Sequence, residues 1–187
     1  MEKEPPVPKC FETPGTATER LIEMFVEMGQ AKRTRVDPPP AQRAVFRKLH
    51  GVAHGRQERR DDMPRDWRVG IFAHERLDAW MRFSSDTGPT DPDLGSTLGI
   101  GLKLFGVPGE NALGEVGATA DLIMQAASRF FVDDAQQMVE FTYAGVVQRN
   151  YDAYLATHKA TNDILNAMTA PRGSVLTTTY WAILPFH

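Results

Sequence analysis

Leu98-Gly99-Ile100-Gly101-Leu102-Lys103-Leu104-Phe105 decides the fold class. Leu98, Ile100, Leu102 and Leu104 recur at every second position, opposite Gly99, Gly101 and Lys103. A period of two puts the four apolar residues on one face of a β-strand, because successive side chains leave a strand on opposite sides. Gly106, Pro108 and Gly109 end that strand. Upstream, residues 85–96 hold Gly88, Pro89, Asp91, Pro92, Asp93 and Gly95, the composition of a long turn. Before the turn, residues 78–84 (Asp-Ala-Trp-Met-Arg-Phe-Ser) mix aromatic and polar residues as a strand does. Downstream, residues 119–124 read as a further short strand.

The ends of the chain are helical. Leu21, Ile22, Phe25, Val26 and Met28 follow a 3.6-residue period after Thr16 or Thr18, either of which can cap the first turn, so a helix is expected over 17–31. Pro38-Pro39-Pro40 then breaks the chain, since proline fixes φ and removes donors. Asp133 or Asp134 caps an expected helix over 134–144 that Gly145 ends. A second C-terminal helix is expected over 150–168, with Tyr151, Tyr154, Leu155, His158, Ile164, Leu165 and Met168 as its buried stripe. Residues 175–184 are strongly β-prone, and a strand left at a terminus is an unpaired apolar edge. Residues 1–16, polar and rich in proline, read as a flexible leader to a single domain over 17–187. The fold class is α+β.

Composition narrows the function. A chain of 187 residues with 42% hydrophobic content can bury one core. A net charge of −3 gives no global basic field for nucleic acid or an anionic membrane. Arg56, Arg59, Arg60, Arg65 and Arg68 alternate with Glu58, Asp61, Asp62 and Asp66, which reads as a mixed solvated surface. The single cysteine, Cys10, cannot form an internal disulfide and suits a reducing compartment. The N-terminus has no apolar signal core, and nowhere do about 18 apolar residues run together. A cytoplasmic protein without nucleic-acid or membrane partners is the expectation. With one cysteine and no His/Asp/Glu cluster at ligand spacing, no protein-held metal site is expected.

Three spaced fragments carry the chemistry: Arg47-Lys48-Leu49-His50-Gly51-Val52-Ala53-His54-Gly55, Trp80-Met81-Arg82-Phe83-Ser84, and the Leu98–Phe105 strand. In order and spacing they resemble the distal half of a heme pocket in the catalase superfamily, most closely the small catalase-like heme proteins. The resemblance runs over residues 43–187. It implies a catalase-like antiparallel β-barrel core with flanking α-helices, heme b as cofactor, and hydrogen peroxide or an organic hydroperoxide as substrate. It implies that His50 moves the peroxide proton, a task suited to imidazole, which titrates near neutrality and can act as base and then acid. It implies that Arg47 and Arg82 hold heme propionates, guanidinium forks being matched to carboxylates and permanently charged. Phe131 then lies against the cofactor.

Two departures from the family pattern set further expectations. Asp121-Leu122-Ile123-Met124-Gln125-Ala126-Ala127-Ser128-Arg129-Phe130-Phe131 carries Ala126 where the family has the asparagine that hydrogen-bonds peroxide, and Ser128 where it has proline. Nothing after Phe186 supplies the tyrosine that ligates iron, and Tyr180, in the family's Y-[FW]-S-x-x-P-[FY] setting, reads as a packing residue. A barrel lacking its C-terminal part, with reduced activity, is therefore expected, alone, as a homo-oligomer or with a completing chain. A degenerate, non-enzymatic catalase-fold interaction module is the alternative, and an unrelated α+β domain is the third reading.

Overall fold

The computed structural model describes residues 14–34, 43–86, 96–110, 114 and 116–183. Most of the expected leader, the triple proline, Cys10 and the centre of the 85–96 turn lie outside the described residues. The chain divides into two compact units, each assembled from separated stretches: Met1–Arg47 with Arg129–Ala170, and Lys48–Ser128 with Pro171–His187. The first is helical and the second is built on a sheet, so α+β holds.

In the helical unit, α1 (residues 17–34) starts at Ala17–Ile22, widens into a π-helical run Glu23–Gln30 and closes with Ala31–Thr34. Thr16 is its cap: the Glu19 amide donates to Thr16 Oγ1 at 3.2 Å and the Thr16 amide donates to Glu19 Oε2 at 2.7 Å. This reciprocal box satisfies two donors that a helix start leaves over. Helix α2 (residues 135–147) runs from Ala135–Thr142 into π-helical Tyr143–Val147. Of the two candidate caps Asp134 is used, accepting from the Gln137 amide at 2.8 Å. The helix passes through Gly145 and ends later, where Arg149 takes the left-handed φ of 55° usual for a helix-terminating glycine. Met24, Val139 and Val147 form the unit's buried core.

The helix expected over 150–168 is two helices, α3 (Tyr151–Thr157) and α4 (Lys159–Met168). His158 separates them with φ −120° and ψ 67°, outside the helical region. Its Nδ1 donates to the Tyr154 carbonyl at 2.8 Å, occupying an acceptor that a continuous helix would give to the His158 amide. The imidazole stacks flat on the Tyr154 ring, centroids 3.8 Å apart.

The sheet unit has five strands in the order β1-β2-β3-β4-β5, each neighbour antiparallel. They are β1 (Lys48–Glu58), β2 (Arg76–Ser85), β3 (Leu98–Glu110), β4 (Val116–Gln125) and β5 (Trp181–Ala182). The alternation read in 97–105 is realised: Leu98 and Leu104 are fully buried, Ile100 is buried and Leu102 half-buried, with Leu77 and Ala79 of β2 on the same face.

The expected barrel is not closed. Closure needs the first and last strands to meet, and among the described residues β1 pairs only with β2 and β5 only with β4, through two residues. The β-prone stretch 175–184 contributes so little because it turns on itself. Thr178 Oγ1 donates to the Ser174 carbonyl at 2.7 Å and the Tyr180 hydroxyl to the Val175 carbonyl at 2.9 Å. The arginine-rich link between β1 and β2 is only partly a solvated surface. Arg60 pairs with Asp62 in the open, but Arg59 donates to the Phe72 and Ala73 carbonyls and Arg68 to those of Asp61 and Met63. These two guanidinium groups hold the link together.

Candidate functional site

The β1–β2 ladder positions His50. Leu49 pairs with Ser84 and Gly51 with Phe83, so His50 is the extra residue of a β-bulge. A bulge re-aims one side chain without breaking the flanking ladder. Here the imidazole Nε2 lies 2.9 Å from Ser85 Oγ, and Ser85 is fully buried. A hydroxyl can donate or accept, so Ser85 fixes the ring in either neutral tautomer and leaves Nδ1 to exchange a proton.

Arg82 is on the other face. Its cross-strand partners are Val52 on β1 and Gly101 on β3. Ser85 stands three residues further along β2, an odd step, so the side chains of Arg82 and Ser85 leave the strand on opposite sides. His50, turned to Ser85, therefore does not share a face with Arg82, and the two do not converge as the resemblance implied. The reason is strand parity, which the fragment spacing did not take into account.

The Arg82 face is open and largely apolar. Val52 is 54% exposed, Trp80 49% and Ile123 62%. Between them Gly101 contributes no side chain, and no atom stands within 4 Å of where its Cβ would be, whereas Gly99 further along is buried with Ser84 and Gln125. His54 packs on Trp80, ring centroids 5.1 Å apart, and Lys103 pairs with Asp121 at 2.8 Å.

The register also relocates the amide expected near position 126. Gln125 pairs with Gly99 and so belongs to the Arg82 face. Ala126 is buried, its amide donating to the Leu98 carbonyl at 2.9 Å and its carbonyl accepting from Arg172 Nη2 at 2.7 Å. Tyr180 is half-buried, 6.4 Å from the Phe83 ring, and packs as expected. Burial raises its pKa, with Arg172 opposing.

Arg47 and Phe131 belong to the helical unit. Arg47 is half-buried, and Phe131 joins a run of rings, 4.6 Å from Phe130 and 4.8 Å from Phe141. In that unit Phe131 is a partly buried member of an aromatic cluster. The sequence reading missed Ser85, whose only signal is a small polar residue at a strand end, and Arg172, which carries no local signal. Among the described residues no group of three or more His, Cys, Asp or Glu could hold a metal ion, and no helix is long and apolar enough to cross a membrane.

Comparison with known proteins finds no family model that matches the chain and no matching curated protein.

Proposed function

We propose that the chain is a heme-binding, catalase-like protein that acts on hydrogen peroxide or organic hydroperoxides with reduced activity, its sheet being part of a catalase-like barrel. The supporting observation is the sheet face around Gly101: Arg82 stands beside the exposed side chains of Val52, Trp80 and Ile123. Such a face suits a flat, apolar, carboxylate-bearing group. Arg82 would hold a carboxylate as a fork-shaped partner, while Val52, Ile123 and Trp80 would cover apolar surface at about 25 cal/mol per Å². Heme would supply the redox chemistry when bound. His50 is the group able to hold or move a proton, and its contact with Ser85 on the opposite face is the physical reason for reduced activity. A cytoplasmic setting accords with the lone cysteine.

The second reading, a catalase-fold interaction module without turnover, is favoured by that same His50–Ser85 contact. Hemin titration followed by Soret absorption, then oxygen evolution from peroxide, separates the two. The heme reading expects a saturable 1:1 complex, weakened about tenfold by Arg82→Gln and abolished by Ile123→Asp, with weak oxygen evolution lost in His50→Ala. Binding with no turnover selects the interaction module. Absence of a Soret shift, or a complex indifferent to Arg82 and Ile123, overturns the heme reading.

A further inference from the structure

At the other end of the same sheet face lies a groove of about 410 Å³ lined by Arg56, His74, Arg76, Leu77, Asp78, Phe105 and Gly106. It opens where β3 loses register between Phe105 and Gly109. Gly106 there adopts a φ of 87°, a conformation that disfavours other residues, and without a side chain it leaves Leu77 as floor.

Two cations face the groove and both keep unused donors. Arg56 Nε lies 3.7 Å from an Asp78 carboxylate oxygen and Arg76 Nε 3.3 Å from a Glu58 carboxylate oxygen, all four side chains largely exposed. Pairs this long and this exposed contribute little. A guanidinium has five donors, and among the described residues the terminal nitrogens of neither arginine are hydrogen-bonded. His74 adds a further ring nitrogen. Asp78 opposes a negative ligand, but its carboxylate is matched by Arg56, so the mouth keeps one cation for each acid and an imidazole besides.

The cationic end continues into apolar surface. Asp78 pairs directly with Phe105, and Trp80 lies one pleat further along β2, diagonal to Phe105 on the same face. Both rings are exposed. From Arg76 to Trp80 the strand advances about 13 Å. A charged mouth joined to an exposed aromatic strip fits a ligand with one anionic head and an extended apolar body.

We propose that this groove binds an amphipathic carboxylate of the fatty-acid class, its head on the terminal nitrogens of Arg56 and Arg76 and its chain along Phe105 and Trp80. The site is independent of heme and is tested without it. Dodecanoate, dodecanol and acetate, each below any micellar concentration, are titrated into the full chain and followed by calorimetry. The paired variant Arg56→Gln/Arg76→Gln, with its fold checked by circular dichroism, is titrated alongside. Dodecanoate is expected to bind at 1:1, dodecanol and the paired variant at least about tenfold more weakly, as loss of charge-assisted bonds requires, and acetate more weakly still. Phe105→Ser should weaken dodecanoate and leave acetate unchanged. Equal binding of dodecanol, an unaffected paired variant, or capture by phosphatidylserine vesicles without dodecanoate binding would overturn the proposal.

Discussion

Gly145→Ala tests the helical unit most sharply. Gly145 sits inside α2 with no left-handed φ, so the backbone itself would accept alanine and gain about 1 kcal/mol of helix propensity. The side chain would not fit. A Cβ there would overlap the Tyr151 ring at Cζ and Cε1 and its hydroxyl oxygen. The Tyr151 ring must leave, and with it goes the ring contact to Phe141 at 4.8 Å, worth about 0.5–1.5 kcal/mol. Tyr151 is 40% exposed. Its buried share of a tyrosine's surface is therefore on the order of 100 Å², worth about 2–3 kcal/mol at most. Partial relocation of the ring returns some of that, so the net loss is about 1–3 kcal/mol. Urea unfolding followed by circular dichroism, with the denaturant slope unchanged, measures it. The diagnostic is a change of sign: in a Tyr151→Ala background the same substitution should be neutral or stabilise by up to about 1 kcal/mol. A neutral or stabilising Gly145→Ala in the parent chain would refute this packing.

Leu104→Ala, at a fully buried site on β3, should cost about 2–5 kcal/mol, whereas Leu176→Ala at an exposed one should stay within about 0.5 kcal/mol in urea melts. Ser85→Ala strips the His50 imidazole of its partner and should cost about 1–3 kcal/mol, with the His50 ring resonances moving in NMR spectra; unchanged resonances would discount the contact. Tyr154→Phe should be neutral or stabilising, since that hydroxyl is buried without a hydrogen-bond partner among the described residues. Burial first, then Glu140 and Asp134, raise the Tyr154 pKa. Its stabilising share is thus complete below the ordinary tyrosine value of about 10 and is lost as pH rises through the higher folded value. Tyr154→Phe should blunt the alkaline loss in pH-dependent melts, and an unchanged alkaline limb would contradict the assignment.

Short-range signals were legible. The Leu98–Leu104 alternation holds in the structure, and each helix start narrowed to two candidates uses one of them, Thr16 and not Thr18, Asp134 and not Asp133, because these signals are decided by side chains within a few residues. What escaped depends on partners distant in sequence or on competition for one carbonyl. The break at His158 follows from an imidazole taking the Tyr154 acceptor, which a helical stripe of apolar residues does not reveal. The passage of α2 through Gly145 follows from Tyr151 occupying the space of a missing Cβ, so that glycine serves packing and not termination. The two residues in strand at 181–182, in place of the expected ten, reflect hydroxyl-to-carbonyl turns that β-propensity does not count.

The candidate site shows the same limit in its simplest form. Arg82 and Ser85 are three apart along β2. In a regular strand an odd step separates faces, so a pocket that takes His50 together with Arg82 needs the bulge to turn the imidazole to the Arg82 face. The bulge is present at His50, but it turns the imidazole toward Ser85 and away from Arg82. Gln125 pairs with Gly99, so its carboxamide lies on the Arg82 face, where it is buried. Arg82, Gly101 and the buried carboxamide of Gln125 thus share one face, while the His50 imidazole is turned to the other. Under the proposed function this arrangement would favour binding over turnover, so ligand affinity at Arg82 and Ile123, and not peroxide consumption, is the measurement that tests it.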